Sequence, residues 1–298
     1  MMHLHMIEIA LVAAVLCRFL YRYLYHQVGA GHCWQTRWHL GLTAFVVPPL
    51  LLLATAVSIL MMGVGGASPA WEGPLSYGLS LGFVLVGLGL WLHLSWLTRK
   101  ALREVQRSPK ALIETPQVCS VGRVVNVPTV FSAQVGAWSS ELVISTGLLN
   151  HLDEEHLEAV LAHEMGHAHY RDTFWFFWLG GLRRLTGWLP FTESLWQELL
   201  LLREVRADKW AAHKVDSLVL AESLMSVITA PLMYSEAGCA GFSCEAPRSR
   251  LAQRIDALLF DESVGEAADG FVSSRWVVCQ NVAIALALSP LLTIPFHH

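Results

Sequence analysis

Charge is scarce in this sequence. Only 15% of its 298 residues are Asp, Glu, Lys or Arg, against roughly 25% in soluble chains. Hydrophobic residues make up 54% and the mean hydropathy is +0.46, which speaks against a freely soluble globular protein. Excess positive charge is also missing. The formal net charge of −4 offers no electrostatic support for a polyanionic partner, so no nucleic acid is expected. The six cysteines, Cys17, Cys33, Cys119, Cys239, Cys244 and Cys279, include no CxxC pair. Neither a disulfide scaffold nor a thiolate metal knuckle follows from them, and Cys239 and Cys244 in CAGFSC read as a loop thiol pair. There is no internal repeat, which argues against a transporter built from duplicated halves.

What is present is apolar length. Four stretches, residues 7–25, 40–63, 75–97 and 276–296, approach or exceed the ~20 residues needed to cross a bilayer. Arg18 and Arg22 interrupt the end of the first, where long side chains can snorkel to headgroups. A signal peptide fits poorly, because these charges follow the apolar run. Pro48-Pro49 falls in the second stretch, where a membrane helix tolerates a kink. Twelve Trp and twelve Phe suit membrane interfaces. Arg22 and Arg37 lie near the first connection, Arg99, Lys100, Arg103, Arg107 and Lys110 follow the third span, and the second connection carries only Glu72. By the positive-inside rule the N-terminus faces out and the long segment faces the cytoplasm. The expected organisation is a membrane region of three transmembrane helices at 1–98, a cytoplasmic domain at 99–275 and a C-terminal transmembrane helix at 276–298.

The cytoplasmic segment reads as mostly α with a small β-sheet. Val118 to Val127 and Glu141 to Thr146 are β-branched runs bounded by Pro or Gly. From Asp153 the pattern becomes helical: Asp153 serves as N-cap, Glu154 and Glu155 suit the positive first turn, and Leu157, Val160, Leu161 and Met165 recur at helical spacing. Further helices are expected at 195–214 and 251–260. Thr173 to Phe191, TFWFFWLGGLRRLTGWLPF, is too short and too interrupted to span a bilayer, and reads as a segment lying on the cytoplasmic leaflet, with a core helix as the alternative.

Inside the first of these helices residues 163–167 spell HEMGH. Positions i and i+4 share a helix face, so His163 and His167 can present imidazole nitrogens to one Zn²⁺, while Glu164, turned by about 100°, can reach a water as general base. A catalytic zinc needs a third protein ligand. The downstream candidates are Glu193, Glu198, Glu204, Asp208 and His213. Glu204 is favoured, because Asp208 shares its face at i+4 and can accept from a ligand histidine's free N–H, fixing its tautomer. The competing reading of that stretch is a solvated face with Arg203 and Arg206 as counter-ions. Arg254, His213 and Tyr234 are candidates for stabilising an oxyanion or contacting substrate.

STGLLNHLDEEHLEAVLAHEMGHAHYRD, followed by EVRADKWA, resembles the membrane-embedded gluzincin peptidases. This group takes in HtpX-like proteases, CAAX prenyl endopeptidases and the antirepressor peptidases of β-lactam-sensing systems. The resemblance spans about Val118 to Leu259. It implies a zincin-like metallopeptidase domain holding one Zn²⁺ per chain through His163, His167 and Glu204, with Glu164 as general base. It also matches Arg254 to a recurrent arginine near the end of the domain. Four spans are too few for the chamber of the CAAX enzymes, and the short tail after the fourth leaves no room for an antibiotic sensor. The expected function is a membrane-bound zinc endopeptidase of a bacterial-type plasma membrane, cutting protein or peptide substrates near the cytoplasmic surface. Substrate addition to the sheet edge is expected around Trp138 to Ser145. The alternatives are a dedicated signalling peptidase that cleaves one transcriptional regulator with a membrane sensor as partner, and a non-catalytic membrane protein with structural zinc.

Overall fold

The computed structural model describes residues 2–28, 34–64, 71–115, 119–229, 250–260 and 266–297. It opens with three long helices, α1 (Met2–Val28), α2 (Trp34–Met62) and α3 (Glu72–Gln106). Strands β1 (Lys110–Glu114), β2 (Cys119–Val125), β3 (Ser132–Val135) and β4 (Glu141–Ser145) follow. Then come α4 (Thr146–His151), α5 (Glu154–His169), α6 (Asp172–Leu185), α7 (Thr192–Ala212), α8 (Ser217–Thr229), α9 (Leu251–Phe260) and α10 (Glu266–Ala287). A 3-10 segment, Ser289–His297, ends the described chain. Contacts divide the molecule into two compact units, Met1–His93 with Leu179–Leu199 and Gly265–His298, and Leu94–Trp178 with Leu200–Val264.

The first unit holds most of the apolar length. Helices at His3–Tyr25, Trp34–Met62, Glu72–Gln106 and Val277–Ile294 are long and apolar enough to cross a membrane, by length and composition. The last is not one regular helix. Pro290 lacks the N–H that an α-helix would use there, and α10 gives way to the 3-10 segment. Ala10 and Ala14 pack against Leu52 and Leu189, while Ile9, Val12 and Leu16 are more than half exposed, an outward apolar surface that suits lipid better than water. Arg18 does not snorkel as its sequence position suggested. It is fully buried with its guanidinium 5.5 Å from the Phe45 ring centroid. Arg37 donates to Glu198 at 2.5 Å, a pairing that removes Glu198 from the list of metal-ligand candidates.

The second unit is built around α5. Its sheet has the order β1-β2-β4-β3, with β2 parallel to β4 and the other pairs antiparallel. Leu142, Val143 and Ile144 of β4 are all buried, the unalternating pattern of a strand covered on both faces. This corrects the expected substrate edge: β4 is interior, and among the described residues the outer strand on that side is β3. One side of α5 packs through Val160 and Leu161 onto Leu142, Ile144, Ile113 and Leu148. The other side places Ala159 and Ala162 against Ala211, Leu220, Leu224 and Leu258 of α7, α8 and α9.

The Ser-Thr-Gly turn joins sheet to helices. Ser145 caps α4, its Oγ accepting from Leu148 N at 3.0 Å and Phe131 N at 3.1 Å. A side chain on Gly147 would meet the backbone of Pro128 and Thr129, with Pro128 O only 2.2 Å from the Cβ position. Asp153 caps α5 as expected, accepting from His156 N at 2.9 Å. Asp153 Oδ1 also lies 2.6 Å from His156 Nδ1.

Two predictions follow from this packing. Gly147→Ala should cost about 1–3 kcal/mol by overpacking and lower the apparent unfolding temperature, whereas Gly89→Ala, where nothing lies within 4 Å, should not. The hydrogen bond to Asp153, helped by Glu222 and opposed by burial, raises the pKa of His156. A raised histidine contributes stability fully present below its unfolded value of about 6.5 and lost as pH climbs through the folded value. His156→Gln should therefore lose less stability than wild type when thermal unfolding at pH 6 is compared with pH 8.

Candidate metal centre

The second unit contains a cavity of about 150 Å³ whose lining includes His163, Glu164, His167, Asp172, Arg203, Glu204 and Arg254. Helix α5 supplies His163, Glu164 and His167. Helix α7 supplies Glu204, and the two helices approach closely because position 166 is glycine: a Cβ there would sit 3.1 Å from Ala207 O and 3.2 Å from Ala207 Cα. His163 Nε2 and His167 Nε2 are 3.1 Å apart. Glu204 Oε2 lies 3.4 Å from the first and 3.6 Å from the second. Two donors each about 2.0–2.1 Å from one tetrahedral ion would be separated by roughly 3.3 Å. The three atoms therefore have the spacing of a cation cradle, and among the described residues they form the one His/Cys/Asp/Glu group of that kind.

The far sides of the rings explain how the cradle is held. His163 Nδ1 stands 2.8 Å from Asp208 Oδ1, and His167 Nδ1 stands 2.7 Å from Asp172 Oδ2. Carboxylates only accept, so at His167 a neutral imidazole places its proton on Nδ1 and turns the Nε2 lone pair toward the cavity, while at His163 the approach to Asp208 is an ion-pair distance whose geometry falls short of a hydrogen bond. Each carboxylate is itself fixed. Arg254 donates to Asp208 through Nε and Nη2, both at 2.8 Å, and Arg206 donates to Asp172. Arg203 occupies Oε1 of Glu204 through Nε at 2.8 Å and Nη2 at 2.7 Å, leaving Oε2 for the two imidazoles.

The electrostatics of this buried cluster call for positive charge. Burial opposes the charged imidazole, yet Glu204 and Asp172 push His167 up to about 10, and Asp208 and Glu204 raise His163 in the same way. Burial works against Glu204 as well, but Arg203 and the histidines hold it well below the usual carboxylate range. Glu164 is buried. Ser132 Oγ on β3 donates to its Oε1 at 2.8 Å, and among the described residues its Oε2 has no hydrogen-bond partner.

The structure thus brings together His163, Glu164, His167, Glu204, Asp208 and Arg254. Arg254 spends Nε and Nη2 on Asp208, and the remaining nitrogen, Nη1, lies 3.6 Å from Glu204 Oε2. Other candidates stand elsewhere: Glu193 pairs with Arg183, and His213 is exposed in the turn after α7. Tyr234, Cys239 and Cys244 lie outside the described residues. Sequence reasoning missed Asp172, Ser132 and the buried position of Arg203. Asp172 reaches back to α5 because Arg171 takes a left-handed conformation, φ 53°, which is uncommon for a side-chain-bearing residue. Only Tyr170 and Arg171 separate the two helices.

A protein-family model, Peptidase family M48, matches residues 103–198. The match takes in about a third of the chain, which over those residues is similar to that peptidase family. It covers β1 to β4, α5 and the HExxH run, and stops before Glu204, so the third carboxylate rests on the geometry above. Neither the curated proteins nor the solved structures contain a match.

Loss of an outer carboxylate commonly costs 10–100-fold in metal affinity. Asp172→Asn should weaken Zn²⁺ binding by about that factor, read by competition with a chromophoric chelator. Unaltered affinity would contradict the orienting role given to Asp172.

Proposed function

We propose that the chain is a membrane-bound zinc-dependent endopeptidase. His163, His167 and Glu204 hold the metal, Glu164 is the general base, and Asp208 and Asp172 orient the two imidazoles. The observation that carries this reading is the pairing of a three-donor cradle with a buried carboxylate beside it whose Oε2 is uncommitted. A structural zinc site closes with a fourth protein ligand. Among the described residues no fourth His, Cys, Asp or Glu joins the group, which favours the catalytic reading over the structural one.

Bound there, Zn²⁺ would supply Lewis acidity, bringing the pKa of water toward ~7 and polarising a peptide carbonyl. Glu164 Oε2 takes the proton of the attacking water, the water oxygen bonds to the carbonyl carbon, and the C–N bond breaks as Glu164 returns the proton to the departing amine. Ser132, donating to Oε1, holds the carboxylate and leaves Oε2 as its uncommitted oxygen. The outer edge of β3, next to Ser132 and Gln134 in the cavity lining, supports an extended substrate backbone by strand addition. Arg254 acts chiefly on Asp208, through Nε and Nη2, and its Nη1 lies 3.6 Å from Glu204 Oε2.

The four apolar helices support anchoring in a bilayer, and the Lys and Arg pattern supports a cytoplasmic catalytic segment at about 99–275. Protein chains presented close to the cytoplasmic surface are then the substrates. A dedicated signalling role is a narrower form of the same chemistry and is separated by asking whether one regulator or many proteins accumulate in cells carrying Glu164→Gln.

Purified Glu164→Gln should keep its zinc and lose about 10²–10⁴-fold in peptide hydrolysis, while Glu204→Ala should lose the zinc itself. Hydrolysis that survives in Glu164→Gln at the wild-type rate would remove the enzyme reading.

A further inference from the structure

The cavity has a second wall that the hydrolytic chemistry does not use. On α5, Val160 shares a face with His163, Glu164 and His167, at positions i, i+3, i+4 and i+7, and it lines the cavity with them. Opposite stand Leu220, Leu224, Val227 and Ile228 of α8. With Ser223 they fall at i, i+4, i+7 and i+8 and i+3, so one continuous helix face is turned to the site. Ser223 adds no free polarity to it, because its Oγ donates to Val219 O at 2.7 Å and lies 3.3 Å from His156 O. Leu220 and Leu224 are buried, whereas Val227 and Ile228 are half-buried, so the latter pair forms the part of the wall that a ligand reaches.

We infer that this wall is a specificity pocket for one apolar side chain on a residue flanking the scissile bond. The inference rests on the peptidase reading given above and adds to it a substrate class. The wall presents four aliphatic side chains along one face of α8, and the one hydroxyl among them is already engaged. An anionic side chain finds no unengaged cation here. The two cationic groups in the lining, Arg203 and Arg254, are already engaged by Glu204 and Asp208, and a buried unpaired charge is strongly disfavoured. The β3 edge reads only backbone, which alone gives weak selectivity, so the α8 wall is where side-chain choice enters.

The test is cleavage-site mapping with the full-length, zinc-loaded protein in detergent, using a proteome-derived peptide library and mass spectrometry. Cut sites should be enriched in Leu, Met, Ile or Phe over Asp, Glu, Lys and Arg at one flanking position, by tenfold or more. Ile228→Trp should shift that preference toward Ala and Val, and Ile228→Ala should shift it toward larger side chains, with zinc content unchanged in both. Ile228 lies outside the hydrophobic core clusters, which makes it the gentler position to alter. Cleavage without an apolar preference at either flanking position, or a preference that neither variant moves, overturns the pocket and leaves the peptidase reading intact. A zinc-loaded wild type that cuts nothing in the library overturns both.

Discussion

Two imidazole nitrogens, His163 Nε2 and His167 Nε2, face each other across 3.1 Å with Glu204 Oε2 beside them in a buried site. Their other ring nitrogens are turned to Asp208 and Asp172, so the Nε2 pair and a carboxylate oxygen converge on one point. Such a point is stable only when positive charge occupies it. The surroundings are arranged around this need. Glu164, Asp172, Glu204 and Asp208 contribute four carboxylates, and Arg203, Arg206 and Arg254 contribute three guanidiniums, leaving one net negative charge before any cation or proton is added. Replacing the glycine at 166 would push α7 away and open the triangle, so backbone packing and site charge depend on one another.

Much of this was legible in the sequence because it is local. HEMGH placed two imidazoles on one face of a helix whose start was readable from Asp153, and Glu204 with Asp208 followed from the same periodicity on another helix. What stayed hidden depends on tertiary arrangement. Asp172 is five residues past His167 and becomes its partner only through the left-handed turn at Arg171. Arg203 and Arg206 read as counter-ions on a solvated face, whereas the fold turns Arg203 inward onto Glu204 and over the Phe176 ring. Strand β3, Ser-Ala-Gln-Val, is too short and too polar to announce itself, and strand order cannot be read from strand composition. For that reason the expected substrate edge was displaced by one strand, from β4 to β3.

The apolar excess acquires a division of labour. In the first unit, small residues such as Ala10 and Ala14 face inward while large aliphatic side chains face out, the distribution expected where lipid is the solvent. In the second unit the same residue types build two layers around α5, one against the sheet and one against α7, α8 and α9. The aliphatic face of α8 continues the second layer into the cavity beside the cation cradle. Hydrophobicity therefore has three separate consequences in the proposed account: where the protein resides, how the site helix is clamped, and which side chain of a substrate is accepted.

The central claim is that a single zinc ion is held by two imidazoles and one carboxylate with a position left open. X-ray absorption at the zinc edge, on the purified full-length chain loaded with one equivalent of Zn²⁺, tests it most directly. The account predicts a first shell of nitrogen and oxygen only, near 2.0–2.1 Å, with outer-shell scattering from two imidazole rings and a fourth light scatterer from solvent. A sulfur shell near 2.3 Å, or scattering from fewer than two imidazoles, would contradict it.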